Sequence, residues 1–209
     1  MITLYSGTPG SGKSLHLAQT IHDRLKYDDC VIIANFPFNV GRIKGRKRGR
    51  FISIDNNRLF PERLIDFAIA YRKHYCQGRP IKEGRFTLII DECQILFNSR
   101  EWQMAGRNAW LSFFTQHRKF GFDIILVSQF DRMIDRQIRS LIEYEKIHRK
   151  VNNYGIFGKI LAILCGGNLF VSVYMWYPLK QKLGAEFFLA RRKYYSLYDT
   201  YKMFDTVKS

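Results

Sequence analysis

Short unbroken apolar runs alternate with stretches whose apolar residues recur every three or four positions, and this alternation fills the first 150 residues. Residues 2–6 form a short apolar run that stops at a glycine, the pattern of a buried strand. Residues 14–26 follow with Leu15, Leu17, Ala18, Ile21 and Leu25 on one helical face. Residues 30–36 read as the next buried strand, closed by Pro37, and residues 51–54 as a short one. Residues 61–76 read as a helix with Pro61 in its first turn, where a missing N–H costs nothing. Residues 86–91 form a buried strand ending in carboxylates, 107–119 a helix, 123–128 a further buried strand and 135–142 a helix. Continuous apolar strands alternating with helices predict an α/β fold with a mainly parallel sheet covered on both faces.

After residue 150 the pattern changes. Residues 154–178 are long and mostly apolar, approaching the roughly 20 residues that span a bilayer. Lys159 and Asn168 interrupt them, and Gly166-Gly167-Asn168 is a turn signal. The flanks 156–164 and 169–177 are strand-length and rich in β-branched and aromatic residues. The expectation is therefore a β-hairpin, with a membrane span as the alternative. Residues 1–150 then form the core, and 151–209 a small β-rich appendage with a tyrosine-rich tail packed on it.

Charge changes the picture of partners. Among 209 residues, 34 lysines and arginines face 18 acids, a net charge of +16. Such an excess suits a polyanion, either nucleic acid or an anionic membrane surface. Its densest point is residues 42–50, where Arg42, Lys44, Arg46, Lys47, Arg48 and Arg50 occur with no acid among them. That stretch reads as an exposed loop with nothing to contribute to a core, and as the candidate nucleic-acid contact; a solvated basic surface is the alternative. The four cysteines have no CxxC spacing, which points away from zinc and disulfides and towards a reducing cytoplasm. The first strand begins at residue 2, leaving no room for a signal peptide.

The strongest motif is Gly7-x-x-x-x-Gly12-Lys13-Ser14, set between a predicted strand and a predicted helix. In such a loop the glycines let successive N–H groups turn inward around phosphates, and the helix start adds a favourable dipole. Gly7, Thr8, Pro9, Gly10, Ser11, Gly12, Lys13, Ser14 and Leu15 are thus the candidate ATP-binding residues. Lys13 reaches the β- and γ-phosphates, and the Ser14 hydroxyl ligates Mg²⁺. A second buried strand delivers Asp91 and Glu92 to the sheet's C-terminal edge, where ligands of such folds bind. Asp91 suits the Mg²⁺-water shell and Glu92 the general base for an attacking water. Gln129, at another strand end, is placed to sense the γ-phosphate or position water, or to shape a turn.

Taken in order, these residues resemble the zonular occludens toxin family, whose N-terminal ATPase domain is shared with filamentous-phage assembly ATPases. The resemblance runs through residues 4–14, Ala34-Asn35-Phe36-Pro37, residues 90–94, His117-Arg118 and Ser128-Gln129, and reaches the closing segment 193–200. It implies an additional-strand, catalytic-glutamate P-loop fold related to FtsK–HerA DNA motors, energising phage DNA export or assembly at the inner membrane; the chain itself reads as a homo-oligomeric, Mg²⁺-dependent ATPase that moves viral or plasmid DNA. Members usually continue through a membrane span, and the junction-opening toxin activity belongs to that later region. Arg118 is the first candidate for an arginine supplied to a neighbouring subunit's site, with Arg132, Arg136 and Arg139 as competitors. A nucleotide-gated scaffold holding a membrane-bound partner and a small-molecule kinase are the alternatives; Glu92 argues against the kinase.

Overall fold

The computed structural model describes residues 1–100, 106–165 and 167–198. Its centre is an eight-stranded sheet in the order β3-β2-β4-β5-β1-β6-β7-β8. The strands are β1 (Ile2–Ser6), β2 (Val31–Ala34), β3 (Arg50–Ser53), β4 (Phe86–Ile90), β5 (Phe122–Val127), β6 (Tyr144–Lys150), β7 (Leu169–Trp176) and β8 (Gln181–Leu189). From β3 to β6 every pairing is parallel; β7 and β8 continue the same sheet antiparallel. The helices are α1 (Lys13–Tyr27), α2 (Pro61–Tyr75), α3 (Arg107–Gln116), α4 (Arg136–Ser140), α5 (Gly155–Leu164) and α6 (Arg192–Tyr195).

Period-two alternation sorts the central strands onto two cores. Leu4, Ile33, Leu88, Ile90, Ile124 and Leu126 face α2, α3 and α4, meeting Leu64, Ala68, Trp110, Phe113, Phe114 and Ile138. Tyr5, Ile32, Ile89, Ile125 and Val127 face the other way, against Leu17, Ile21 and Leu25 of α1 and against Tyr194, Leu197 and Tyr198 near the C-terminus. Each fully buried α1 leucine or isoleucine contributes about 1.5–3 kcal/mol by leaving water. α4 begins with a side-chain cap: the Asp135 carboxylate accepts from the N–H groups of Gln137 and Ile138.

Three expectations are corrected. Residues 156–164 are helical, not a strand: they belong to α5, which no strand pairs. The hairpin partner of β7 is instead β8, which the sequence pattern did not reveal. In α5, Ile156, Ile160, Ile163 and Leu164 are exposed at i, i+4, i+7 and i+8, while Gly158 is buried so tightly that a Cβ would lie 2.2 Å from the Val151 carbonyl oxygen. At ten residues α5 is far short of a bilayer span, and no helix among the described residues is long and apolar enough to cross a membrane. Finally, the basic loop does reach the core, because Ile43 is buried against the α1 face of the sheet.

Candidate active site at the sheet edge

β1 ends at Ser6, and the chain turns through Gly7–Gly12 into α1, so the loop lies at the C-terminal ends of the parallel strands. Gly7 has a φ of 142°, and a side chain there would start 2.6 Å from the His148 carbonyl oxygen and 2.7 Å from Ser11 Oγ. Gly12 is left-handed (φ 92°) and lies beneath the Phe170 ring, with no room for a Cβ. Only glycine fits either position. The start of α1 has no side-chain cap, so its first N–H groups are left to an external acceptor. Ser11 Oγ is buried and has no hydrogen-bond partner. Lys13 folds over the loop, donating from Nζ to the carbonyl oxygens of Gly7 and, at 3.2 Å, Thr8. Burial lowers its pKa, while the charges of Glu92 and Asp91 push it back up.

β5 lies between β1 and β4, the inserted strand that the resemblance implies. Gln129 follows it and is thus set between the glycine loop and the Asp91-Glu92 pair; its carbonyl accepts from Gly7 N–H at 3.2 Å. Asp91 is almost fully buried. Its Oδ1 accepts the Glu92 N–H at 2.8 Å, and its Oδ2 accepts the Tyr198 hydroxyl. Burial raises the Asp91 pKa, opposed by those two donors. Glu92 holds a left-handed backbone (φ 47°, ψ 46°), uncommon for a side-chain-bearing residue and costing on the order of 1 kcal/mol. The turn presents its carboxylate to the Gln94 amide, which donates to it.

Asn35 fixes this pair in place. Its side-chain amide donates to the Asp91 carbonyl at 2.9 Å and accepts the Asp91 N–H at 2.7 Å, so one side chain satisfies both backbone groups. Two further groups have no sequence signal. His148 on β6 donates from Nδ1 to the Ser6 carbonyl at 3.1 Å, which leaves its Nε2 to accept from His16 Nδ1 at 2.7 Å. Burial and the neighbouring cations hold both rings neutral, with His148 pushed down to about 4 and His16 to about 2. Glu145, also buried, accepts from Ser6 Oγ at 2.7 Å and from Lys180 at 3.0 Å. A cavity of about 550 Å³ opens over the loop, lined by residues 6–11, Gln129, His148, Arg149, Lys150 and Tyr154 among others.

Ser14 stands in the first turn of α1 beside Lys13, and Leu15 turns inward and is buried. Arg118 is not gathered with these groups. It pairs with Glu143, beside the N-terminal amine and Asp123, at the opposite edge of the sheet from the loop. The length of β1, roughly 16 Å at about 3.3 Å per residue, separates the two edges. Arg132 lines a separate groove with Gln94, Asn98 and Phe130.

The sequence model of the family described as zonular occludens toxin (Zot) matches residues 1–173. The chain belongs to the Zot family. The Gene 1 protein of Escherichia phage If1 is 26% identical over 213 residues, covering 97% of this chain and 59% of its own length. The Gene 1 protein of Enterobacteria phage M13 is 27% identical over 168 residues, covering 78% of this chain and 47% of its own. The Zot-family chain thus spans about three-fifths or less of these curated relatives. In fold it is similar to the N-terminal domain of zonular occludens toxin from Neisseria meningitidis, with a TM-score of 0.55 at 16% identity over 95% of this chain and 98% of that one. The DNA-packaging ATPase B204 of Sulfolobus Turreted Icosahedral Virus gives 0.56 at 15% identity, covering 91% and 98%.

The Zot-family site suits a magnesium–triphosphate. The Gly7 and Gly12 cradle admits only backbone, Ser11 Oγ is an orphaned buried donor, and Lys13 covers the loop with its cation. Ser14 and Asp91 would offer the hard oxygen groups that Mg²⁺ and its waters prefer.

Proposed function

We propose that this Zot-family chain is a Mg²⁺-dependent ATPase, acting as a homo-oligomer that drives the export, assembly or packaging of phage or plasmid DNA. One observation carries the reading: separate strands deliver Lys13 and the Asp91-Glu92 pair to one sheet edge, close enough that both carboxylates act on the lysine's pKa. In this reading the loop and Lys13 hold the β- and γ-phosphates, Ser14 and Asp91 hold the metal, and bound Mg²⁺ neutralises charge on the transferred phosphoryl group. Glu92 takes the proton of the attacking water, and Gln129 orients that water from between the two motifs. Support comes from similarity in fold to a genome packaging NTPase, from Sulfolobus turreted icosahedral virus 2, solved with ATP-gammaS (TM-score 0.51), and from the phage origin of the Gene 1 relatives.

DNA is assigned to Arg42, Lys44, Arg46, Lys47, Arg48 and Arg50, whose side chains are exposed around the Ile43 anchor. We place the protein in the cytoplasm, peripheral to the inner face of the membrane, where the exposed apolar stripe of α5 favours contact with a membrane-bound assembly partner. The same stripe favours a second reading, a nucleotide-gated scaffold with slow turnover. ATP turnover by wild type and Lys13→Ala, each with and without DNA, tests the proposal. Sustained DNA-stimulated hydrolysis abolished by Lys13→Ala is expected. Turnover that survives Lys13→Ala moves the site elsewhere, and binding with only a single burst favours the scaffold.

A further inference from the structure

Past β8 the chain returns to the site. It leaves the sheet through α6 and packs across α1, where the Tyr194 ring meets His22 edge-on at 5.4 Å. Two groups at the start of the basic loop then hold its backbone: Asn39 N–H, just before the loop, donates to the Leu197 carbonyl at 2.9 Å, and the loop's own Arg42 donates to the Ser196 carbonyl at 3.3 Å. Tyr198 is buried with its ring 4.4 Å from that of Phe36, and this packing aims its hydroxyl at Asp91 Oδ2. The bond joins residues 107 positions apart.

The rest of Asp91 is already committed. Asn35 takes both of its backbone groups, and Oδ1 accepts from Glu92. Each carboxylate oxygen thus holds one donor: Oδ1 the Glu92 N–H, fixed by its turn, and Oδ2 the Tyr198 hydroxyl, carried by the tail. Mg²⁺ dehydrates reluctantly and keeps several waters, which donate to surrounding carboxylates. A metal-bound water donating to this carboxylate would share its negative charge with the hydroxyl or displace it, and either weakens the tyrosine's bond. Apolar packing of the ring against Phe36 needs no hydroxyl; the hydroxyl links the packed tail to the candidate metal ligand.

We propose that Tyr198 is a positioning residue that latches the C-terminal segment to the metal-ligating carboxylate, so that uptake of Mg²⁺ with nucleotide loosens residues 192–198. The inference rests on the ATPase reading of Asp91. Linkage makes the coupling reciprocal: a docked tail weakens metal uptake by the same factor that metal uptake loosens the tail. The chain that continues past Tyr198 then feels the state of the nucleotide site through one hydroxyl.

Amide hydrogen exchange across residues 192–198, with ATP bound in EDTA and then with Mg²⁺ added, reads the latch without relying on turnover. In wild type, Mg²⁺ speeds this exchange about tenfold or more, the scale of a lost hydrogen bond to a charged group. Tyr198→Phe keeps the ring, so its tail exchanges fast already in EDTA and does not respond to Mg²⁺. Asp91 in that variant has lost a donor and gains more from the metal, so half-saturation by Mg²⁺ falls by the same factor of about tenfold or more, with ATP binding in EDTA as the check that the loop is intact. Nucleotide binding with tail exchange indifferent to Mg²⁺, or a Tyr198→Phe half-saturation that is unchanged or raised, removes the latch alone. If wild type binds no ATP, the ATPase reading fails and the latch with it.

Discussion

The two histidines under the loop act as a neutral pair, and acid is the way to break it. His148 and His16 are surrounded by Tyr5, Phe188 and the cations Lys146 and Lys13, with Glu186 3.8 Å from His16 Nε2. Their folded pKa values lie below the ordinary value of 6.5, so the unfolded chain takes up protons first as pH falls. Their contribution to stability is present above about pH 6.5 and is lost as pH falls to about 4 for His148 and about 2 for His16, already about 2 kcal/mol per histidine by pH 5. Denaturant unfolding at pH 7.5 and pH 5 should show this loss in wild type and a smaller one in His148→Gln. Equal losses would show that the pair does not titrate on unfolding. The comparison also sets aside Asp91, whose raised pKa acts with the opposite sign. At this scale the glycine loop and the strand-end acids were legible because their partners adjoin them in the chain. Asn35, His148 and Tyr198 were not, because each reaches the site only when distant strands or the tail pack beside it.

Among the elements, β6 shows why patterns fail at a functional edge. Within Tyr144–Lys150 the most buried residues are Glu145 and His148, satisfied by Ser6, Lys180 and His16, so polar side chains occupy the positions where a strand shows apolar ones. The α5 segment fails for the opposite reason: it is apolar apart from Lys159, so composition favoured a strand while the spacing of its exposed apolar residues is helical. The central strands, buried on both faces, gave an unambiguous signal. The basic loop is a held element. Ile43 anchors it, and the N–H groups of Arg48 and Gly49 both donate to the Leu25 carbonyl near the end of α1. Neutralising Arg46, Lys47 and Arg48 together should leave the fold intact and weaken DNA binding. Each lost phosphate contact should flatten the log K against log salt slope by about 0.7–0.9. Unchanged affinity and slope would assign the loop to plain solvation.

For the whole molecule, the open question is what completes the site. A guanidinium facing the γ-phosphate is worth about 10³–10⁵ in rate. Arg118 lies at the far edge of its own sheet, paired with Glu143, so it can serve only a neighbouring subunit's site. Mixing Arg118→Ala subunits with Lys13→Ala subunits should restore turnover lost in each, because some interfaces then combine an intact loop with an intact arginine. Normal turnover by Arg118→Ala alone places the group elsewhere, and Arg149, which lines the cavity over the loop, is then the first to test. Glu92→Gln decides whether this Zot-family fold turns ATP over with Glu92 as base beside a metal held by Asp91 and Ser14. Nucleotide affinity and single-turnover hydrolysis should be measured on one preparation with Mg²⁺. Wild-type affinity for Mg·ATP with hydrolysis slowed about 10²-fold or more is expected. Hydrolysis at the wild-type rate, or loss of binding altogether, would contradict it.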